Sequence, residues 1–395
     1  MSPVGVPTQR TAGSRLLVVD SDGAVTDHTR AEFPGLVRSG DLVIANDAAT
    51  LPASLSGFHV PTGAAVEVRL AGRDSLSPER VSSFAAVVFG AGDFRTPTEH
   101  RPHPPVLQPG DALQLGPLRA DVVRVLAHPR LIEMRFQQSV EAIWEGLARY
   151  GRPIQYAHLS QPLEIGDTWT RIASQPVAFE PPSATFILDW AMIQLLRSRR
   201  ARFATLTHAA GISSTGDSDL DRLLPFEEPY HIPSSTAALI DTNRGRGRVI
   251  AVGTTVVRAL EHAARPDGTI RSGNGIATGR IGPLTQLRVV DAIVSGVHER
   301  GTSHYELLRA FQDDAALARM ESEAEARSYR RHEFGDSVFV ERSSFTLIEA
   351  VEHDERHRQI LPPPLVAGRL QGRSRLAGHR RAAAATGRGG FGGVS

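Results

Sequence analysis

Gly247-Arg248-Val249-Ile250-Ala251-Val252-Gly253-Thr254-Thr255-Val256-Val257-Arg258-Ala259-Leu260-Glu261 is the stretch on which the fold turns. Residues 249–252 form a short apolar run that reads as a buried strand. Gly253 interrupts it, and Val257, Leu260 and Ala264 then recur at helical spacing. A strand, a glycine, two hydroxyls and a helix make one α/β unit with a polar cradle at its join. The first amides of such a helix have no partner inside it, so a carboxylate or phosphate could rest there beside Thr254 and Thr255. The same letters also describe an ordinary helix start, and the flanking segments must decide between the two.

Working outward, 40–47 (Gly-Asp-Leu-Val-Ile-Ala-Asn-Asp) is a second buried-strand run that delivers Asn46 and Asp47 to its carboxyl edge, where open α/β sheets collect ligands. A turn in which both side chains bond their own backbone is the competing reading. Residues 15–19 are a third strand. Downstream, 203–207 is a strand running into a hydroxyl-rich loop, His208 to Thr215. His208 suits a general base, because imidazole titrates near neutrality, and it equally suits a histidine bonded to backbone. Phe186, Trp190 and Ile193 mark one helical face ending in Arg197, Arg199 and Arg200. A Gly-rich connection covers 273–282, and a strand at 287–291 leads on to His298. Ser303 with Glu306 forms a capping box, 313–331 reads as a solvated helix, and Glu333-Phe334-Gly335-Asp336 turns into a strand at 337–340.

Between 59 and 147 the texture changes. Short alternating stretches at 66–70, 84–89, 113–115, 120–126 and 131–136 are separated by Gly, Pro and Asp, the pattern of a small antiparallel barrel or sandwich. The organisation expected is an α/β body (1–58 and 148–350) with an inserted antiparallel β-barrel (59–147). A disordered Arg/Gly/Ala-rich tail is expected at 365–395.

A chain of 395 residues with no cysteine has neither disulfides nor a thiolate nucleophile. All 44 of its basic residues are arginine, against a net charge of +1, so composition neither demands nor excludes a nucleic-acid partner. No signal core and no run of eighteen apolar residues is present, and a cytoplasmic protein without a membrane partner is expected. His100 and His103 lack a third ligand nearby, so no metal site is expected. The oligomeric state is left open.

In this order, these segments resemble the S-adenosylmethionine:tRNA ribosyltransferase-isomerase family of queuosine biosynthesis. The resemblance runs from Arg10 to Glu341. It rests on Ser14 to Val18, on Gly40 through Asn46-Asp47 to Ala53, on Glu228, Tyr230 and Pro233, on Val252-Gly253-Thr254-Thr255 with Arg258, Leu260 and Glu261, on Val289-Val290-Asp291 with His298, and on Gly335-Asp336.

The resemblance implies an α/β body carrying an inserted barrel. It also implies an enzyme using S-adenosylmethionine as ribosyl donor and co-substrate, with no other cofactor. The carbon beside the sulfonium is deprotonated, the ribosyl unit passes to a 7-aminomethyl-7-deazaguanine in tRNA, rearrangement gives epoxyqueuosine, and adenine and methionine leave. On this reading His208 or His298 is the base, with Glu228 completing the catalytic set. Asn46, Asp47, Ser213, Tyr230, Gly253, Thr254, Thr255, Arg258, Asp291 and Asp336 hold substrate.

The chain departs from the family pattern at several polar positions. Asp47-Ala48-Ala49 stands where Asp-Thr-Arg is usual, Phe186 and Phe226 stand where histidines are usual, and Gly296-Val297-His298 replaces Asn-Phe-His. Two other functions are therefore kept: an enzyme acting on S-adenosylmethionine or a nucleoside with a small-molecule acceptor, and a non-catalytic RNA- or nucleotide-binding protein.

Overall fold

A computed structural model describes residues 13–343 continuously, together with Gly5, Pro7 and Gln9. The arginine-rich segment at 365–395 lies outside the described residues. Four segments lie side by side as parallel strands, in the order Arg202–His208, Leu42–Asn46, Val249–Val252 and Ala292–Gly296. Five more strands complete a mixed sheet of nine: Glu228–Ile232 and Gly273–Ala277 on one side, each antiparallel to its inner neighbour, and on the other Ser337–Glu341 antiparallel to Ala292–Gly296, Arg15–Val19 parallel to Ser337–Glu341, and Val25–Thr29 antiparallel to Arg15–Val19. Leu42 and Ile44 enter one core and Val43 and Ala45 the other, as a strand's pleat requires. Both faces are covered, which is why 42–45 and 249–252 are apolar throughout, while 202–208 carries the partly buried Arg202, Thr205 and Thr207. The helix Thr254–Ala263 packs on one face with Ser303–Leu308 and Asp314–Ala326; Trp190–Ser198 packs on the other.

The second layer is a closed barrel of six antiparallel strands, ordered Leu131–Phe136, Ser83–Phe89, Ala65–Gly72, Ser54–His59, Ala112–Leu115 and Leu118–Val125. Its own core includes Leu55, Val68, Phe84, Leu113, Val122 and Met134. The first strand starts at Ser54, a few residues before the change of texture at 59. Ser54 and Arg152 exchange backbone hydrogen bonds of 2.8 and 2.9 Å, so chain entry and exit are clasped together.

Local readings that fail do so for identifiable reasons. Residues 287–291 are not strand, because the amides of Arg288, Val289 and Val290 donate to the Glu261 carboxylate at 2.8–3.0 Å instead of to a neighbouring strand. The glycine-rich 273–277 is strand, and Gly275 lies where a Cβ would come within 2.3 Å of Tyr230 Oη. Trp190 is 61% exposed, and its helix begins at the Asp189 cap, separate from the 3-10 turn holding Phe186. The cap of Ser303–Leu308 is Thr302, one residue earlier than the capping-box pattern places it. No helix among the described residues is long and apolar enough to cross a membrane.

Gly253 adopts φ +105°, ψ 150°. A Cβ there would meet Ala184 at an ordinary 3.5 Å, so the cost of a side chain is conformational. Gly253→Ala is expected to lose about 1–3 kcal/mol in urea unfolding. An unchanged midpoint would show that the backbone relaxes freely.

Candidate active site

The four parallel strands end on one edge, at Asn46, His208, Gly253 and Gly296, and the side chains there are bonded in layers. Asn46 is fully buried. Its Oδ1 accepts from the amides of Ala48 and His208, both at 3.0 Å, and its Nδ2 donates to the His208 carbonyl at 2.9 Å and to Thr255 Oγ1 at 3.3 Å. Asn46 therefore staples two strand ends and orients the first turn of the helix. Asp47 accepts from Thr207 Oγ1 at 2.7 Å. Gly253 with Thr254 and Thr255, both partly exposed, forms the helix start in the middle of this edge.

Below it lies a buried charged group. Arg258 donates to one oxygen of Glu228, and the other accepts the Gly211 amide at 2.6 Å. Arg258 also reaches the carbonyls of Phe226, Ala277 and Gly279 at 3.2–3.3 Å. His208 Nε2 lies 3.5 Å from Glu228, and its ring stacks parallel to Tyr230 at 6.4 Å. Burial, reinforced by the Arg258 charge, holds the His208 pKa well below the usual histidine value. Burial raises the Glu228 carboxyl, with Arg258 opposing. His208 has no solvent-exposed surface.

His298, partly exposed, places Nε2 3.0 Å from Ser295 Oγ and stacks on His304 at 4.5 Å. Burial, then the Arg258 charge, lowers the His304 pKa to about 4. Alongside is a second cluster. Tyr156 donates to Glu180 and, at 3.0 Å, to the Ser214 carbonyl. Burial and then the charge of Glu333 raise the Glu180 pKa to about 7, while the Ser213 hydroxyl and amide hydrogen-bond to it and oppose the rise. Ser213 thus serves Glu180. Burial pushes the Glu333 carboxyl up, but the neighbouring His158 imidazole more than offsets this.

Some expected site residues are elsewhere. Asp291 stands at the opposite edge of the sheet, where it accepts the Val249 amide at 2.9 Å and Arg342 at 2.7 Å. Asp336 is on the correct edge, but its two oxygens accept the amides of Arg15 and Arg330 at 3.0 and 2.8 Å and hold the 330–336 turn. Tyr230 is buried and shares a 3.0 Å hydrogen bond with His262. Conversely, Tyr156, His158, Glu180, His304, His332 and Glu333 were not singled out from the sequence as site residues. They come from three loops and, for His304, the helix Ser303–Leu308, without a spacing motif. The usable signal was a charged letter inside an apolar run, as at Phe179-Glu180-Pro181.

The departures are filled with apolar contacts. Ala48 packs with Val177, Ala178, Ala209 and Ala210, and Phe186 stacks on Phe334 at 5.5 Å.

An α/β sheet whose strand ends hold buried, titratable side chains, interrupted by an inserted barrel, defines an enzyme-like class. A family model described as queuosine biosynthesis protein matches residues 4–340, and the chain belongs to that family. The S-adenosylmethionine:tRNA ribosyltransferase-isomerase of Thiobacillus denitrificans is 30% identical over 343 residues, covering 86% of this chain and 93% of that protein. The protein of the same name from Pelobacter propionicus is 30% identical over 345 residues, covering 85% and 95%. The crystal structure of S-adenosylmethionine tRNA ribosyltransferase from Thermotoga maritima is similar at a TM-score of 0.43 and 22% identity, over 86% of this chain and 94% of that one.

Proposed function

We propose that the chain is an S-adenosylmethionine:tRNA ribosyltransferase-isomerase. It moves the ribosyl unit of S-adenosylmethionine onto a 7-aminomethyl-7-deazaguanine in tRNA, gives epoxyqueuosine, and releases adenine and methionine. The observation that carries the reading is the family match over 4–340, within which the Gly253-Thr254-Thr255 helix start lies at the carboxyl edge of the sheet. S-adenosylmethionine is a co-substrate here, and the tRNA is the acceptor. The helix start, with Thr254 and Thr255, receives an anionic or hydroxyl group of the donor. His298 is the base that takes the proton from the carbon beside the sulfonium, since it is partly exposed, whereas His208 is wholly buried. His208, Glu228 and Arg258 form the buried support beneath it.

Incubation with S-adenosylmethionine and precursor tRNA, followed by chromatography for adenine and methionine, tests the reading. Release that requires the tRNA supports it, and no release under either condition removes it. His298→Ala is expected to cut turnover roughly 10²–10⁴-fold with an unchanged melting temperature. Full turnover in that variant would take the proton transfer away from His298. The apolar fill around Ala48 and Phe186 favours one second reading, a small-molecule acceptor. Adenine release without tRNA would select it.

A further inference from the structure

His158, His332 and Glu333 come from two loops far apart in sequence, yet one ligand-type atom of each lies within 4.8 Å of the others. The imidazoles of His158 and His332 face each other with centroids 4.3 Å apart and an interplanar angle of 15°. His158 Nε2 and Glu333 Oε2 are 3.3 Å apart, an ion-pair distance, and both atoms are buried with no well-formed hydrogen bond to any other group. Buried polar atoms normally find full partners, and these two have only each other. His332 also adopts φ +70°, a left-handed conformation that costs a non-glycine residue energy and persists only where its surroundings impose it. Here Gly335 donates to the His332 carbonyl at 2.9 Å and Asp336 to that of Arg330 at 2.9 Å. The turn thus holds the His332 imidazole against the His158–Glu333 pair.

We propose that His158, His332 and Glu333 bind a divalent transition cation of the zinc class. Two imidazoles and one carboxylate are a borderline donor set that suits zinc better than magnesium or calcium, which prefer all-oxygen shells. Zinc-ligand bonds of about 2.0–2.1 Å in a tetrahedral site require donor atoms about 3.4 Å apart. The present spacing reaches that by rotation of His332, whose side chain is exposed. The cation completes the bonding of both buried atoms at once and draws the 330–336 turn onto the loop of His158. Three protein donors leave a coordination position open beside Tyr156 and Glu180, in the same cluster.

The test uses the full, tag-free chain, stripped with a chelator and then titrated with zinc chloride by calorimetry. Cobalt(II) substitution, read as visible absorption, reports the coordination. One equivalent per chain is expected, with tetrahedral-type cobalt absorption. His332→Gly keeps the left-handed backbone while removing a ligand, and Glu333→Gln removes the charge. Each is expected to weaken zinc binding by at least about tenfold, whereas His100→Ala with His103→Ala leaves it unchanged. Circular dichroism and melting curves verify that the variants are folded. The absence of a binding isotherm in the wild-type chain overturns the proposal, and so does wild-type affinity in folded His332→Gly. Adenine release plays no part in this readout, so its outcome is independent of the function proposed above.

Discussion

Arg258→Met is expected to lower unfolding stability by about 3–5 kcal/mol at neutral pH, because it strands a buried carboxylate. Glu228 is only 5% exposed. Without the guanidinium its negative charge retains the Gly211 amide and a neutral His208. The carbonyls of Phe226, Ala277 and Gly279 lose their donor in the same step. The deficit should narrow as pH falls, since a protonated Glu228 no longer buries a charge. It should narrow similarly when Glu228→Gln is added, because the amide oxygen still accepts from Gly211. Urea unfolding of the single and double variants measures this. A single-variant loss under about 1 kcal/mol would mean that water or a rearrangement replaces Arg258, and its role as an internal brace would be wrong.

The second large effect is a pH dependence. Burial, followed by the Glu333 charge, raises the Glu180 pKa to about 7 from an ordinary carboxyl value of 4.5. Between those values the native state holds a proton that the unfolded chain has released. This contribution is therefore fully present below about 4.5 and is lost as pH rises through 7. From pH 5 to pH 8 it amounts to a fall on the order of 2–3 kcal/mol. Glu180→Gln cannot titrate, so its stability in chelator-containing buffer should lack that fall and exceed the wild type's at pH 8. Parallel stability curves for the two proteins would show that Glu180 is ionised throughout.

Elements whose reasons are local were legible in the sequence. The runs 15–19, 42–46 and 249–252 are apolar because both faces of the sheet are covered, and the alternation at 131–136 reports a barrel strand with one wetter side, whereas at 66–70 the polar Glu67 and Arg69 are themselves buried and paired with each other and with Arg101. The site was legible only where a backbone feature marks it, as at Gly253, or where a polar residue ends an apolar strand, as at Asn46. Asp291 and Glu261 sit in matching motifs, yet their charges are spent on backbone amides. Nothing in a one-dimensional pattern separates a carboxylate that holds a loop from one that holds a ligand. His332 and Glu333 were opaque for the opposite reason: their neighbour His158 reaches them only through the tertiary fold.

The clasp between Ser54 and Arg152 bears on how such a chain reaches its native state. Body strands on either side of the insert, such as Leu42–Asn46 and Arg202–His208, must find each other across the whole barrel segment. Closing a flexible loop of roughly a hundred residues costs about 3 kcal/mol more entropy than closing a few residues. A barrel that forms first, from hairpins between sequence neighbours, brings its two ends to strand-pairing distance and removes most of that cost. The inserted domain then works as an intramolecular tether that shortens the search of the domain it interrupts, and core substitutions in the barrel, such as Phe84→Ala, should slow assembly of the α/β sheet they never touch.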